Sequence, residues 1–233
     1  MTRRARYVLL SGLMVFTGCG HIQSAALPLA ARMSGSPDSI ALLDMPPAGE
    51  MARADLLAIQ GPWSAARVAQ ARADDRFDAF LAFQPVMGGD FTARTYPETR
   101  RVLDRLLLPL GVAIVLAKDH YARPRPFVAD AGLPTCMKTG SNIRADGSYP
   151  SGHAAFGWGW ALVLAELAPA RADEILLRGR EYGDSRIVCG LHYPSDVEAG
   201  RTLAAAAVAR LHGDDGFRRA VDSARKEIVA RQR

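Results

Sequence analysis

From about residue 51 onward the apolar positions of this chain recur with helical spacing, and nowhere do they alternate with period two over a useful length. That pattern predicts an all-α protein, a single helical-bundle domain with a core of hydrophobic helices. Met51 to Gln60 and Ala65 to Phe83, rich in Ala, Leu and Arg, read as helices. Gly88-Gly89 interrupts the run, and Pro97-Glu98 opens the next helix in the favoured first-turn position. Leu106 to Ala117 is apolar throughout, too short for a bilayer span and therefore a buried core helix, which Pro109 is expected to kink or split. Ala154 to Leu167 is apolar almost all round. Arg171 to Ser185, Pro194 to Leu211 and the amphipathic, charge-laced Asp214 to Gln232 complete the set.

The region before residue 51 has a different character. Arg3, Arg4 and Arg6 precede the short apolar stretch Tyr7 to Gly18, so that residues 1–18 have the shape of an export signal. Phe16-Thr17-Gly18-Cys19 resembles a bacterial lipobox, with Phe16 where Leu is typical, and predicts a lipidated Cys19 at the start of a periplasmic, membrane-anchored protein. The alternative is an ordinary signal cut further on, among the small residues between Ser24 and Ala31, giving a soluble periplasmic or secreted protein. Residues 19–50, with Pro28, Pro37, Pro46 and Pro47, read as an extended arm or linker, leaving 51–233 as the folded domain.

Processing changes the meaning of the charge. Three of the 29 Lys and Arg lie in the signal and none of the 24 Asp and Glu does, so most of the net charge of +5 leaves with it. No Lys/Arg cluster carries interleaved aromatics, which removes nucleic acid as a partner. Of the three cysteines, losing Cys19 to lipid leaves Cys136 and Cys189, an even pair suited to a disulfide in an oxidising compartment. Two buried free thiols are the other reading of that pair.

Candidate chemistry lies in three short segments. Lys118 follows the buried helix, and Arg125-Pro126 follows the stiff turn Tyr121-Ala122-Arg123-Pro124. Alone, Lys118 would serve as a helix C-terminal cation and Arg123 and Arg125 as surface turn residues. In Gly147-Ser148-Tyr149-Pro150-Ser151-Gly152-His153, Ser151 is a natural N-cap, and the free amides of the first turn suit a phosphate oxygen. In the third segment Ser185-Arg186 precedes His192 and Asp196, and Pro194 at a helix start lets His192 and Asp196 share a face. A carboxylate on one imidazole nitrogen fixes the tautomer and frees the other nitrogen to attack. Three cations suit a multiply charged anion, and two histidines with one carboxylate suit nucleophilic attack coupled to proton transfer.

Taken together, Lys118-x6-Arg125-Pro126, Pro150-Ser151-Gly152-His153 and Ser185-Arg186-x5-His192-x3-Asp196 resemble the three-part signature of the type-2 phosphatidic acid phosphatase superfamily, which includes vanadium haloperoxidases. Gly147 to Tyr149, Arg178 to Gly183, Cys189-Gly190 and Ser195 to Arg201 are similar to the class A bacterial nonspecific acid phosphatases, and the resemblance covers roughly 95 to 212. It implies His192 as nucleophile through a phosphohistidine, Asp196 orienting it, and His153 as general acid and then base. It also implies Lys118, Arg125, Arg186, the Ser151 hydroxyl and the Gly152 amide as the phosphate cradle. Charge logic agrees, since phosphoryl transfer is mainly positioning and electrostatic stabilisation, and three fixed cations can do a metal's work.

The expected activity is therefore metal-independent, cofactor-free hydrolysis of small phosphate monoesters, bell-shaped in pH because His192 must start neutral and His153 protonated. A zinc enzyme is disfavoured by the absence of a His-x-x-x-His pair and by the cations. A haloperoxidase of this type would be much longer. A lipid phosphate or pyrophosphate phosphatase of the same superfamily stays open, as does a homodimer. A phosphate-binding lipoprotein without activity would need the cations but neither histidine.

Overall fold

The computed structural model describes residues 41–231, so the signal, Cys19 and most of the proline-containing arm lie outside the described residues. Within them the chain forms helices joined by short loops, with no strand among the described residues. In chain order these are α1 (Gly49–Leu57), α2 (Ala65–Ala73), α3 (Ala79–Met87), α4 (Pro97–Asp104), α5 (Leu107–Tyr121), α6 (Pro126–Ala129), α7 (Ser141–Ala145), α8 (Gly152–Leu167), α9 (Ala172–Val188), α10 (Pro194–Leu211) and α11 (Asp215–Arg231). A turn of 3-10 helix, Ala58–Gln60, extends α1, and another, Pro169–Arg171, leads into α9.

The predicted all-α architecture holds. Helix α8 is the central element, packed against both α9 and α10, because its residues are apolar on nearly every side. Small residues let those helices approach. A Cβ on Gly157 would lie 2.4 Å from the Tyr182 ring of α9, and one on Gly200 of α10 would lie 2.5 Å from the Ser151 carbonyl at the head of α8. Around this centre α5 leans on α10 and α8, α11 covers α4, and α2 and α3 rest on α9. Phe83, Phe91, Leu106, Leu110, Leu164, Ile175, Tyr182 and Phe217 are fully buried in or against the shared core.

Helix starts follow local chemistry. Ser64 accepts from the Arg67 amide at 3.2 Å to cap α2, and Asp78 accepts from Phe80 and Leu81 at 2.9 and 3.1 Å to cap α3. Prolines occupy the first turns of α4, α6 and α10.

Two expectations need correction. Ala65 to Phe83 is not one helix; it breaks at Asp74–Asp78, where side chains from α8 and α9 take up the backbone and carboxylates. Arg178 pairs with the Asp74 carboxylate, Tyr182 Oη donates to the Arg76 carbonyl at 2.9 Å, and a ring nitrogen of His153 sits 3.1 Å from the Asp75 carbonyl. Pro109 does not split its helix, which runs unbroken from Leu107 to Tyr121. The break falls earlier, at Arg105-Leu106, and Pro109 sits in the first turn of α5, where its missing N–H costs no intrahelical bond.

The disulfide pairs Cys136 with Cys189, tying the loop between α6 and α7 to the end of α9. Beside it the Cys136 amide donates to the Cys189 carbonyl at 3.2 Å. Closing a 53-residue separation stabilises the fold by about 4 kcal/mol on a chain-entropy estimate.

Candidate active site

Two chain reversals, a close approach and a helix cap bring the three sequence segments together. Helix α5 ends at Ala122, whose φ of 45° places a non-glycine residue in the left-handed region, at a cost of about 1 kcal/mol. That reversal, stiffened by Pro124 and Pro126, turns Arg123 and Arg125 inward rather than to the surface, and both are buried. Arg123 is therefore no surface turn residue. Gly147 allows the loop before α8 to press on α5, since a Cβ there would lie 3.1 Å from the Lys118 carbonyl. Ser151 caps α8 by accepting from the Ala154 amide at 3.4 Å, while its own amide donates to the Asp196 carbonyl at 2.9 Å and so pins the head of α8 to α10. Gly190, with φ of 68°, turns the chain out of α9 so that His192 lies beneath Arg186, whose carbonyl accepts from the His192 amide at 3.3 Å.

His192 is 1% exposed and stands at the centre. Its Nδ1 is 3.3 Å from Asp196 Oδ2, and its Nε2 is 2.9 Å from Arg125 Nη1. A guanidinium can only donate, so Nε2 accepts and the ring hydrogen resides on Nδ1, facing the carboxylate. The Nε2 lone pair thus points among the cations. Burial, followed by the positive charges of Arg125, Lys118, Arg186 and His153, holds the imidazole pKa well below its ordinary value and keeps the ring neutral.

Asp196 is completely buried and richly bonded. It accepts from Arg123 Nη1 at 2.7 Å, from Ser148 Oγ at 2.5 Å and from the Tyr193 amide at 2.9 Å. Burial nevertheless pushes its pKa up to about 6, against the opposing pull of Arg123, Ser148 and Tyr193. The carboxylate is held ionised only by those donors.

The cations line the same space. Lys118 and Arg125 both pair with the Asp146 carboxylate, Arg125 at 2.7 Å, and Arg125 also donates to the Leu191 carbonyl at 3.2 Å. Arg186 is fully buried and gives Nη1 to Asp75 at 2.7 Å, while its Nε and Nη2 have no hydrogen-bond partner among the described residues. Two buried guanidinium donors without acceptors are costly, about 1–3 kcal/mol each, and suit an anionic oxygen brought by a ligand. At Gly152 a Cβ would meet only Ile114 at 3.9 Å, so no protein atom requires glycine there and the free space adjoins the first-turn amides. His153 stacks on Tyr182 with centroids 5.7 Å apart, meets the edge of Phe77, and holds the Asp75 carbonyl through Nε2.

Lys118, Arg125, Ser151, Gly152, His153, Arg186, His192 and Asp196 therefore converge, as the spacing of the three segments led one to expect. The sequence reading missed Asp146 and Asp75, which ion-pair with the three cations, and the Ser148–Arg123–Asp55 group behind Asp196. Ser148 and Arg123 lay in plain view beside signature residues. Asp55 sits in α1 among Ala, Leu and Arg with no local mark of a role.

The segments that form this site fall within the part of the chain that resembles known proteins. Residues 105–216 match the family model described as PAP2 superfamily. A protein named non-specific acid phosphatase from Providencia stuartii is 42% identical over 150 residues, which are 64% of this chain and 60% of that protein. One of the same name from Salmonella typhimurium is 43% identical over 148 residues, covering 63% of this chain and 59% of the relative. An acid phosphatase from Zymomonas mobilis subsp. mobilis is 51% identical over 133 residues, 57% of this chain and 50% of the relative. The matched part thus spans between half and six tenths of these relatives' own length.

Proposed function

From the match of residues 105–216 to the PAP2 superfamily model, we propose that this chain is a member of that superfamily and hydrolyses small phosphate monoesters through a phosphohistidine on His192. The observation that carries the proposal is the pair of unpartnered Arg186 donors in a ring of cations around a neutral, lone-pair-bearing His192 Nε2.

In this mechanism the substrate phosphoryl group takes the Arg186 Nε and Nη2 hydrogens and the first-turn amides of α8, and draws Lys118 and Arg125 from the Asp146 carboxylate. Arg125 Nη1 then serves a phosphoryl oxygen instead of His192, leaving the Nε2 lone pair to attack phosphorus. The P–O ester bond breaks as the N–P bond forms, and His153 gives its proton to the departing alkoxide. Asp196 balances the positive charge that His192 acquires. Water next attacks the phosphohistidine, His153 takes its proton, and inorganic phosphate leaves. Developing negative charge is met at every step by fixed cations rather than by a metal ion, which supports a metal-independent reaction.

Export with lipidation at Cys19 belongs to the same proposal, and the Cys136–Cys189 disulfide suits an oxidising compartment. No helix among the described residues is long and apolar enough to cross a membrane. The test is a substrate panel of nucleoside monophosphates, sugar phosphates, a phosphodiester, pyrophosphate and phosphatidic acid, each with EDTA or vanadate. Turnover of monoesters that survives EDTA and is inhibited by vanadate is expected. Turnover abolished by EDTA, or confined to diester or lipid, would contradict the proposal.

A further inference from the structure

Behind His192 and Asp196 lies a second layer of buried charge that the three-segment signature does not contain. Arg123 reaches from the α5–α6 turn and gives Nη1 to Asp196 Oδ1 at 2.7 Å and to Ser195 Oγ at 2.7 Å. Its Nη2 donates to Asp55 Oδ2 at 2.9 Å, and its guanidinium lies 3.8 Å from the centre of the Tyr193 ring. Asp55 comes from α1, outside the residues that match the superfamily model. Its Oδ1 accepts from the Ser195 amide at 3.1 Å, and the Ser195 hydroxyl donates to Oδ2. The side chains of Arg123 and Asp55 are 9% and 8% exposed, so neither charge is screened by bulk water.

We infer that Arg123 is a positioning residue that keeps Asp196 ionised against His192 Nδ1, and that Asp55 sets how strongly it does so. The chain His192–Asp196–Arg123–Asp55 alternates hydrogen-bond donor and acceptor, and the Asp55 anion partly offsets the Arg123 cation. Removing Arg123 leaves a buried carboxylate without the one cation that contacts it among the described residues, and its proton affinity rises. Removing the Asp55 charge frees the full field of Arg123 to act on Asp196, and its proton affinity falls.

The other groups facing the pair do not reproduce this control. Ser148 and the Tyr193 amide donate to Asp196 without charge. Tyr149, which interacts electrostatically with Asp196, is pushed up to about 12 by burial, and burial raises Tyr193 as well, so both stay neutral. Lys118, Arg125, Arg186 and His153 bear on the imidazole of His192, on the side of the phosphate. Arg123 alone among these cations contacts the Asp196 carboxylate.

This relay presupposes the phosphohistidine chemistry proposed above. The test is the pH profile of kcat/KM for p-nitrophenyl phosphate in the wild type, Arg123→Gln, Arg123→Lys and Asp55→Asn. Arg123→Gln is expected to move the acid limb upward by about one pH unit and lower kcat at least tenfold, with KM within about threefold of wild type. Asp55→Asn is expected to move the same limb downward by about half a unit. Arg123→Lys keeps the cation and should return the limb toward its wild-type position, and it replaces Arg123→Gln in the test should that variant not fold. Opposite displacements cannot arise from a common loss of rigidity. Limbs that stay in place in both charge-removing variants, or move in the same direction, overturn the inference. A wild type that does not turn over phosphomonoesters removes the underlying reading and the relay together, whereas an active wild type with an immovable limb removes the relay alone.

Discussion

Arg186 concentrates the energetics of the site in one side chain. It is wholly buried, one of its nitrogens is held by Asp75, and two have no acceptor among the described residues. Such donors burden the ligand-free protein and are relieved by an anion, so binding and folding are linked. Inorganic phosphate at a hundredfold excess over its Kd should stabilise the wild type by about 2.7 kcal/mol. Arg186→Met should lose most of that gain and raise KM at least tenfold, while its ligand-free melting temperature stays level or rises. Thermal melts with and without phosphate check this, and an equal phosphate-induced shift in both proteins would contradict it. At the same scale, the proposed role of Asp196 depends on its surroundings. Burial raises its pKa to about 6, so the carboxylate that would balance charge on His192 in the proposed mechanism is progressively lost as pH falls through that value. His192 itself stays neutral well below its ordinary range, so the acid limb of kcat/KM should belong to the coupled Asp196–His192 pair.

Elements that carry the site are positioned by others that do not touch the phosphate cradle. Glu227 of α11 accepts from the Glu98 and Thr99 amides at 3.0 and 2.9 Å and from Thr99 Oγ1 at 2.8 Å, supplying the start of α4 with acceptors that its own sequence lacks. Glu227→Ala should destabilise the fold by about 2–3 kcal/mol in urea unfolding and leave kcat/KM unchanged, because Thr99 is buried and its donors would lose their partners. A parallel loss of activity would show that α4 is coupled to catalysis. The boundaries that could be read in advance are those with local causes. Ser151 before Gly152, Pro97 and Pro194 each mark a helix start through capping or fixed φ, and all three starts fall as expected. The break at Asp74–Asp78 could not be read that way. It exists because Arg178, Tyr182, Arg186 and His153 reach that segment from helices about 80 to 110 residues further on, and no local propensity records such a demand.

For the molecule as a whole, the site is a convergence of α1, the α5–α6 turn, the head of α8, the tail of α9 and the head of α10, locked on one side by the Cys136–Cys189 bridge. The residues proposed for chemistry were legible through the joint resemblance of three segments to a family signature, since each segment alone reads as an ordinary helix cap or turn. Their supports were not, since Asp146, Asp75 and Asp55 acquire meaning only when folding sets them against Lys118, Arg125, Arg186 and Arg123. In the proposed reaction the His192 Nε2 carries the phosphoryl group. The most direct test of that step is to mix the protein with a radiolabelled phosphomonoester, quench in alkali, where phosphohistidine survives and phosphate esters of the substrate can be washed away, and map the label. The label should appear transiently on the peptide containing His192 and vanish in His192→Ala. Label on any other residue, or full turnover with no alkali-stable label at any time point, would contradict the account.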